Sequence, residues 1–299
     1  MVTSSGSSEK PATPLERRVN LERLPLALWD YGGEGPRVLF VHGFLDSGRG
    51  FEDVARDLAG ECRCLCLDWR GHGASSFASA DAASHQLDHL KDLVCVLEEL
   101  VAAGEGVDLI VAHSMGGTIS LMLAGFAPEM VPRLLLLDCV GGYAADAKTQ
   151  VDQMSKVVEH LRAPQRGFRT FESRAQAESR VRQNNPGLSE AGSERIVRHY
   201  LDALPDGGYS VRLDPNLRGP NPYRFPEEHW MEICRRVTAP TCVVAPEEGY
   251  MFRIPELQQR LAAIPHCRRV DVPGVGHHVQ VERPELVAAE VRKQLLEPR

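Results

Sequence analysis

The run Val107-Asp-Leu-Ile-Val-Ala-His-Ser114-Met-Gly-Gly117 constrains this chain more than any other stretch. An apolar, strand-like segment meets a single Ser, then a Gly pair, and from Thr118 to Ala127 the pattern becomes helical. A Ser at such a sharp strand-to-helix turn lifts its hydroxyl out of the sheet, and small neighbours let strand and helix approach closely. The free N–H groups of the helix N-terminus then lie beside the Ser, where they favour an oxyanion. The common form of this elbow is G-x-S-x-G, whereas Ala112 stands at the first Gly here. The bland alternative is a Ser114 that merely caps its helix.

The rest of the chain supplies partners for an elbow in a consistent order. Residues 37–41, Arg followed by four apolar residues, form a short continuous run ending at His42-Gly43-Phe44, as expected of a strand buried on both faces of a parallel sheet. Residues 62–67 read as another strand, followed by the turn-rich Asp68-Trp-Arg-Gly-His-Gly73. Leu87, Leu90, Leu93, Val94, Leu97, Leu100 and Val101 recur at helical spacing, and Gly104 ends that helix. Residues 133–138 give a strand with an acid, Asp138, at its end. After a long interruption the pattern resumes with strands at 238–245 and 269–272, a helix at 254–263 between them, the loop Pro273-Gly-Val-Gly-His277, and a closing helix at 284–296. Alternation of strand and helix predicts a mostly parallel sheet with right-handed crossovers, whose reactive loops gather at the C-terminal edge of the strands.

Taken together, the Ser114 elbow, His42-Gly43-Phe44, the 68–75 loop and Gly276-His277 resemble the α/β-hydrolase superfamily, specifically its capped serine hydrolases, over roughly residues 20 to 298. Phe126-Ala-Pro-Glu-Met-Val131, followed by the 133–138 strand, is most similar to the serine hydrolase-like branch. The resemblance implies an α/β-hydrolase fold with a helical cap inserted after the sixth strand. Residues 18–140 and 237–299 then form the core, 141–236 the cap with helices expected at 147–162, 168–184 and 188–204, and 1–17, rich in Ser, Gly, Pro and Thr, a flexible tail. It also implies that the Phe44 and Met115 amides form an oxyanion hole. His42 is expected to brace its loop, and Asp68, Arg70 and His72 to hold loops.

A Ser hydroxyl needs an imidazole as base and a carboxylate to fix that imidazole's tautomer. His277 is the better base; the adjacent His278 is one residue off the pattern. The acid is harder to place. Relatives put an Asp in the turn after the strand at 242–245, but this chain reads Ala245-Pro-Glu-Glu-Gly249, with Gly249 at that position. Asp138 and Glu248 remain, both keeping the order Ser, acid, His, and the empty position favours Asp138.

With Ser at 114, acyl transfer through an acyl-enzyme is expected, and hydrolysis of a carboxylic ester of a small to medium, partly apolar substrate is its commonest outcome. Two other readings stay open: C–C bond hydrolysis of a β-diketone-like substrate by the same residues, and a non-catalytic small-molecule binder. The net charge of −7 provides no basic stripe, which argues against a nucleic-acid partner. The 8 Cys are scattered through apolar runs without metal-ligand spacing, and Cys62, Cys64 and Cys66 alternate so as to share a strand face. Neither a metal nor a cofactor is expected. No segment is long and apolar enough for a membrane span, and residues 1–14 lack the apolar region of a secretory signal. The expectation is a cytoplasmic protein, monomer or homodimer.

Overall fold

A computed structural model describes residues 13–21, 24–77, 85–163 and 167–298. In chain order its elements are β1 (Leu15–Leu21), β2 (Leu24–Asp30), β3 (Arg37–Val41), α1 (Glu52–Asp57), β4 (Arg63–Leu67), α2 (Gln86–Ala102), β5 (Leu109–His113), α3 (Met115–Phe126) and β6 (Leu134–Leu137). A long segment follows with α4 (Ala147–Arg162), β7 (Thr170–Phe171), α5 (Arg174–Asn184), α6 (Glu190–Arg198), β8 (Leu201–Ala203), β9 (Tyr209–Val211) and α7 (Glu227–Arg236). The chain closes with β10 (Thr241–Glu248), α8 (Leu257–Ala263), β11 (Cys267–Gly276), α9 (Val279–Glu282) and α10 (Pro284–Leu296).

Eight strands form one sheet in the order β1-β2-β4-β3-β5-β6-β10-β11. Every neighbouring pair from β4 to β11 is parallel, while the β1–β2 and β2–β4 pairs are antiparallel, so β2 alone runs against the rest of the sheet. The apolar runs are explained by burial on both faces, because successive side chains of a strand point to opposite sides. Leu39, Val41, Leu65, Leu67, Ile110, Ala112, Leu134, Leu136, Val243 and Ala245 pack into one core. Val38, Phe40, Cys64, Cys66, Leu109, Val111, Leu135, Leu137, Cys242 and Val244 pack into the other. Cys62, Cys64 and Cys66 do share a face, and all eight cysteines are free thiols. No described helix is long and apolar enough to cross a membrane.

Three expectations need correction. Residues 1–12 of the expected tail lie outside the described residues, but 15–17 belong to β1, where Arg17 donates to Asp30 (3.3 Å) and Glu105 (2.6 Å). Composition hid a strand held by register and charge. Next, the segment after β6 is not wholly helical. Its first helix, α4, spans the expected 147–162, but the next two start at 174 and 190 rather than 168 and 188, because Ser173 and Ser189 cap α5 and α6 by accepting the Gln176 and Gly192 amides. Residues 170–171, 201–203 and 209–211 instead make a small antiparallel sheet, β7-β9-β8, over a satellite core that includes Val197, Leu201 and Val211. Finally, α7, placed in that segment by its charged sequence, packs on the core: its Trp230, Ile233 and Cys234 join the main cluster, and Ile233 abuts Gly125 of α3.

Candidate active site

The elbow is built by β5 and α3. Ser114 takes φ 51° and ψ −115°, a backbone conformation that a non-Gly residue holds only under about 1–3 kcal/mol of strain. Its backbone N–H stays tied into the sheet by donating to Leu137 O (3.1 Å). Its hydroxyl makes no capping hydrogen bond, so Ser114 is not a helix cap in the ordinary sense. The His42-Gly43-Phe44 turn lies against this elbow. A Cβ at Gly43 would stand 2.9 Å from His113 Nδ1 and 3.0 Å from Ser114 Cβ, which is why this approach requires Gly. Among the described residues, neither the Phe44 amide nor the Met115 amide donates a hydrogen bond to the protein.

The ends of β6 and β10 lie side by side, because Leu137 pairs with Val244 and the Asp138 N–H donates to Val244 O (3.0 Å). Asp138, at φ 50°, turns its buried carboxylate into the bend after β10, where it accepts the N–H groups of Tyr250 (2.7 Å) and Met251 (3.0 Å). Its Oδ2 also faces His277 Nδ1 at 2.5 Å. A carboxylate can only accept, so Nδ1 carries the proton and Nε2 keeps its lone pair. Glu248 is exposed at the end of β10 beside Gly187, and no hydrogen bond links it to His277. Ser114, Met115, Asp138 and His277 line one cavity of about 250 Å³, with Trp230, Tyr250, Met251 and Ile254 among its walls and Arg224 contributed by the segment after β6.

His277 is positioned by neighbours that local sequence did not reveal. The Tyr250 ring stacks on it at 4.1 Å between centroids. His113, adjacent to Ser114, donates from Nε2 to His277 O (2.8 Å), while its Nδ1 accepts from Gln280 Nε2 (3.3 Å). Burial holds His113 neutral by pushing its pKa well below the ordinary range. The signal for His113 and Gln280 lay in their nearness in sequence to Ser114 and His277, a nearness Tyr250 lacks. His278 packs edge-on against His277, 5.2 Å between centroids, and bonds Asn185 Oδ1 through Nε2 (3.1 Å).

The remaining polar residues hold loops. His42 Nδ1 bonds Gly43 O (2.7 Å) and its Nε2 accepts the Trp69 N–H (3.1 Å). Asp68 accepts from Trp29 Nε1, Gly48 N and Ala74 N, Arg70 clamps Asp92 bidentately, and His72 Nε2 accepts the Leu45 N–H. Cys139 also reaches the cavity, but burial pushes its thiol up to about 11, so it stays protonated and unreactive near neutral pH. Among the described residues one cluster, Asp46, His113 and His278, has donor atoms close enough to hold a metal ion.

The profile of the alpha/beta hydrolase family matches residues 38–290. A serine hydrolase-like protein of Dictyostelium discoideum is 22% identical over 90% of this chain and 77% of its own length. Lipase LipV of Mycobacterium tuberculosis is 29% identical over 89% of this chain and 95% of its own. Among solved structures, a hypothetical protein of Pseudomonas aeruginosa superposes with a TM-score of 0.82 at 28% identity, covering 93% of this chain and 97% of that one.

Proposed function

This chain belongs to the alpha/beta hydrolase family, and from that premise we propose that it is a serine esterase, cleaving a carboxylic ester or related acyl bond of a small to medium, partly apolar substrate. The observation that carries the reading is the 2.5 Å bond from His277 Nδ1 to Asp138, in the cavity that also holds the strained Ser114. Asp138 fixes the tautomer that leaves His277 Nε2 free as a base. His277 takes the Ser114 proton as Oγ attacks the substrate carbonyl, and the Phe44 and Met115 amides receive the oxyanion. The same imidazole then gives its proton to the leaving alcohol. Water, deprotonated by His277, attacks the acyl-enzyme and releases the acid, and the proton returns to Ser114.

Support for the oxyanion hole is that both amides lack acceptors among the described residues while their segments are pressed together at Gly43. The cavity's volume and its Trp230, Met251 and Ile254 walls suit a modest apolar group, with Arg224 and Asn221 of the proposed cap closing one side. LipV, a lipase by name, is a relative in keeping with ester chemistry.

Labelling by a fluorophosphonate probe, with turnover of short-chain and medium-chain nitrophenyl esters, tests this reading. Labelling and turnover should both vanish in Ser114→Ala and His277→Ala. A well-folded wild-type protein that neither labels nor turns over these esters would overturn the proposal and leave the non-catalytic binder ahead.

A further inference from the structure

Beside the hydrolytic cavity lies a second group of buried polar side chains whose donors and acceptors do not balance. Asp46 is 4% exposed; its Oδ1 accepts the Ser47 N–H (2.8 Å), the Gln280 amide lies beside its carboxylate, and among the described residues its Oδ2 has no partner in good hydrogen-bond geometry. His278 Nδ1 and the Oε1 of Gln280, a residue 1% exposed, are likewise buried and unpartnered.

The tautomers of both histidines follow from their partners. His113 Nε2 faces the carbonyl of His277, which can only accept, so Nε2 carries the proton and Nδ1 presents a lone pair. Gln280 Nε2 donates to that lone pair, which fixes the orientation of the amide and leaves Oε1 as an acceptor. His278 Nε2 faces Asn185 Oδ1, and the Asn185 amide is oriented in turn by its Nδ2 donating to Val181 O (2.9 Å). His278 Nδ1 is therefore also a lone pair. Three lone-pair atoms, Asp46 Oδ, His113 Nδ1 and His278 Nδ1, lie within 4.8 Å of one another.

His113 Nδ1 already accepts from Gln280, but Asp46 Oδ2, His278 Nδ1 and Gln280 Oε1 remain, one more acceptor than the two protons of a water molecule can serve. A cation can. Two imidazoles and one carboxylate match the ligand preference of zinc-class transition ions, and each imidazole here already donates its other N–H to an oxygen, the outer-shell arrangement that metal-binding histidines use. We propose that Asp46, His113 and His278 form a binding site for one divalent transition-metal ion, distinct from the Ser114 cavity and coupled to it through the backbone of His277.

Burial keeps His278 neutral by lowering its pKa to about 3, and His113 is lowered too, so both are ready as ligands without losing a proton. Ligand atoms around a tetrahedral ion stand about 3.4 Å apart, so the three side chains must converge by about an ångström. His278, the one member that is only half-buried, is best placed to make that movement and to admit the ion. The positions 46, 113 and 278 explain why no metal spacing is visible in the sequence: the ligands come from three distant loops.

The test is titration of the untagged, full-length protein with Zn²⁺ and Co²⁺, followed by calorimetry and by the visible spectrum of bound Co²⁺. One saturating equivalent is expected, with the spectrum of nitrogen and oxygen ligation and no thiolate charge-transfer band. Binding should weaken at least tenfold in both Asp46→Asn and His278→Gln. Absence of saturable binding, or equal binding in both folded variants, overturns the proposal. Should either variant unfold, X-ray absorption at the zinc edge of the wild type decides alone: a shell with two imidazoles and no sulfur supports the site, and any sulfur ligand rejects it.

Discussion

The Asp138 carboxylate fills the space that a side chain at position 249 would need: a Cβ on Gly249 would overlap Asp138 Oδ1 and Cγ. The resemblance to capped serine hydrolases implies an Asp at this turn, and here Gly249 leaves room for a carboxylate arriving from the end of β6. The Asp138 carboxylate is held at this turn by the amides of residues 250 and 251.

Because only one of the two positions can hold a side chain here, Gly249→Ala should lower kcat by about a hundredfold or more through displacement of Asp138, an ångström-scale misplacement of the kind that has such effects. The double variant Asp138→Gly/Gly249→Asp should recover at least tenfold over Asp138→Gly alone. Steady-state kinetics on a nitrophenyl ester measures both, and a swap no better than the single variant would refute spatial equivalence.

Asp138→Asn should cut kcat about ten-thousandfold with little change in KM, because the wrong tautomer of His277 would be favoured while binding survives. Glu248→Gln, on an exposed side chain, should stay within about twofold of wild type. The reverse ranking would transfer the role to Glu248.

His113→Leu removes the donor to His277 O and leaves that carbonyl unpaired in a buried setting. A stability loss of about 1–3 kcal/mol is expected, read from urea unfolding. A neutral result would mean that another group or water already serves this carbonyl.

Arg260 is fully buried, pairs bidentately with Glu227, and donates to Val140 O (3.1 Å) and Gly142 O (2.8 Å). Glu227→Ala strands this cation and should destabilise the fold by about 3 kcal/mol. Chemical unfolding checks it, and a change below about 0.5 kcal/mol, the range of ordinary surface substitutions, would show that the carbonyls suffice.

Acid should unfold this protein early. Burial lowers His42 and His72 to about 3, and His89 and His113 are lowered as well. A histidine whose folded pKa is depressed binds more protons when unfolded, so its contribution is present above pH 6.5 and is lost as pH falls toward 3. Asp46, raised to about 7, acts in the opposite sense between about pH 7 and 4, but the histidines outnumber it. The urea midpoint should fall steadily below pH 6, and His72→Gln should flatten that slope. A midpoint that is flat from pH 7 to 4.5 would contradict this assignment.

Much of the fold was legible because its signals are local. Ser114 sits in a turn specified by about six residues, and α4 and α10 begin and end where periodicity and proline place them. The central strands β3 to β6 and the first six residues of β10 are readable as apolar runs because they are buried on both faces. Local signals also failed in a consistent way: 15–17 look like tail until paired with β2, and α7 looks like surface until Ile233 meets Gly125.

The sequence by itself determined the alternating architecture, the elbow at Ser114, the loop of His277, and a short list of acids. Only the tertiary structure decided which acid reaches His277, and it also brought Tyr250 onto that imidazole and His113 beneath its carbonyl. The reason is physical. Backbone conformation and hydrophobic periodicity are set by neighbours a few residues apart, whereas the meeting of residues 138, 249 and 277 depends on β6 lying in register beside β10, and β10 beside β11. That register is fixed by the packing of two whole cores, and no stretch of sequence contains it.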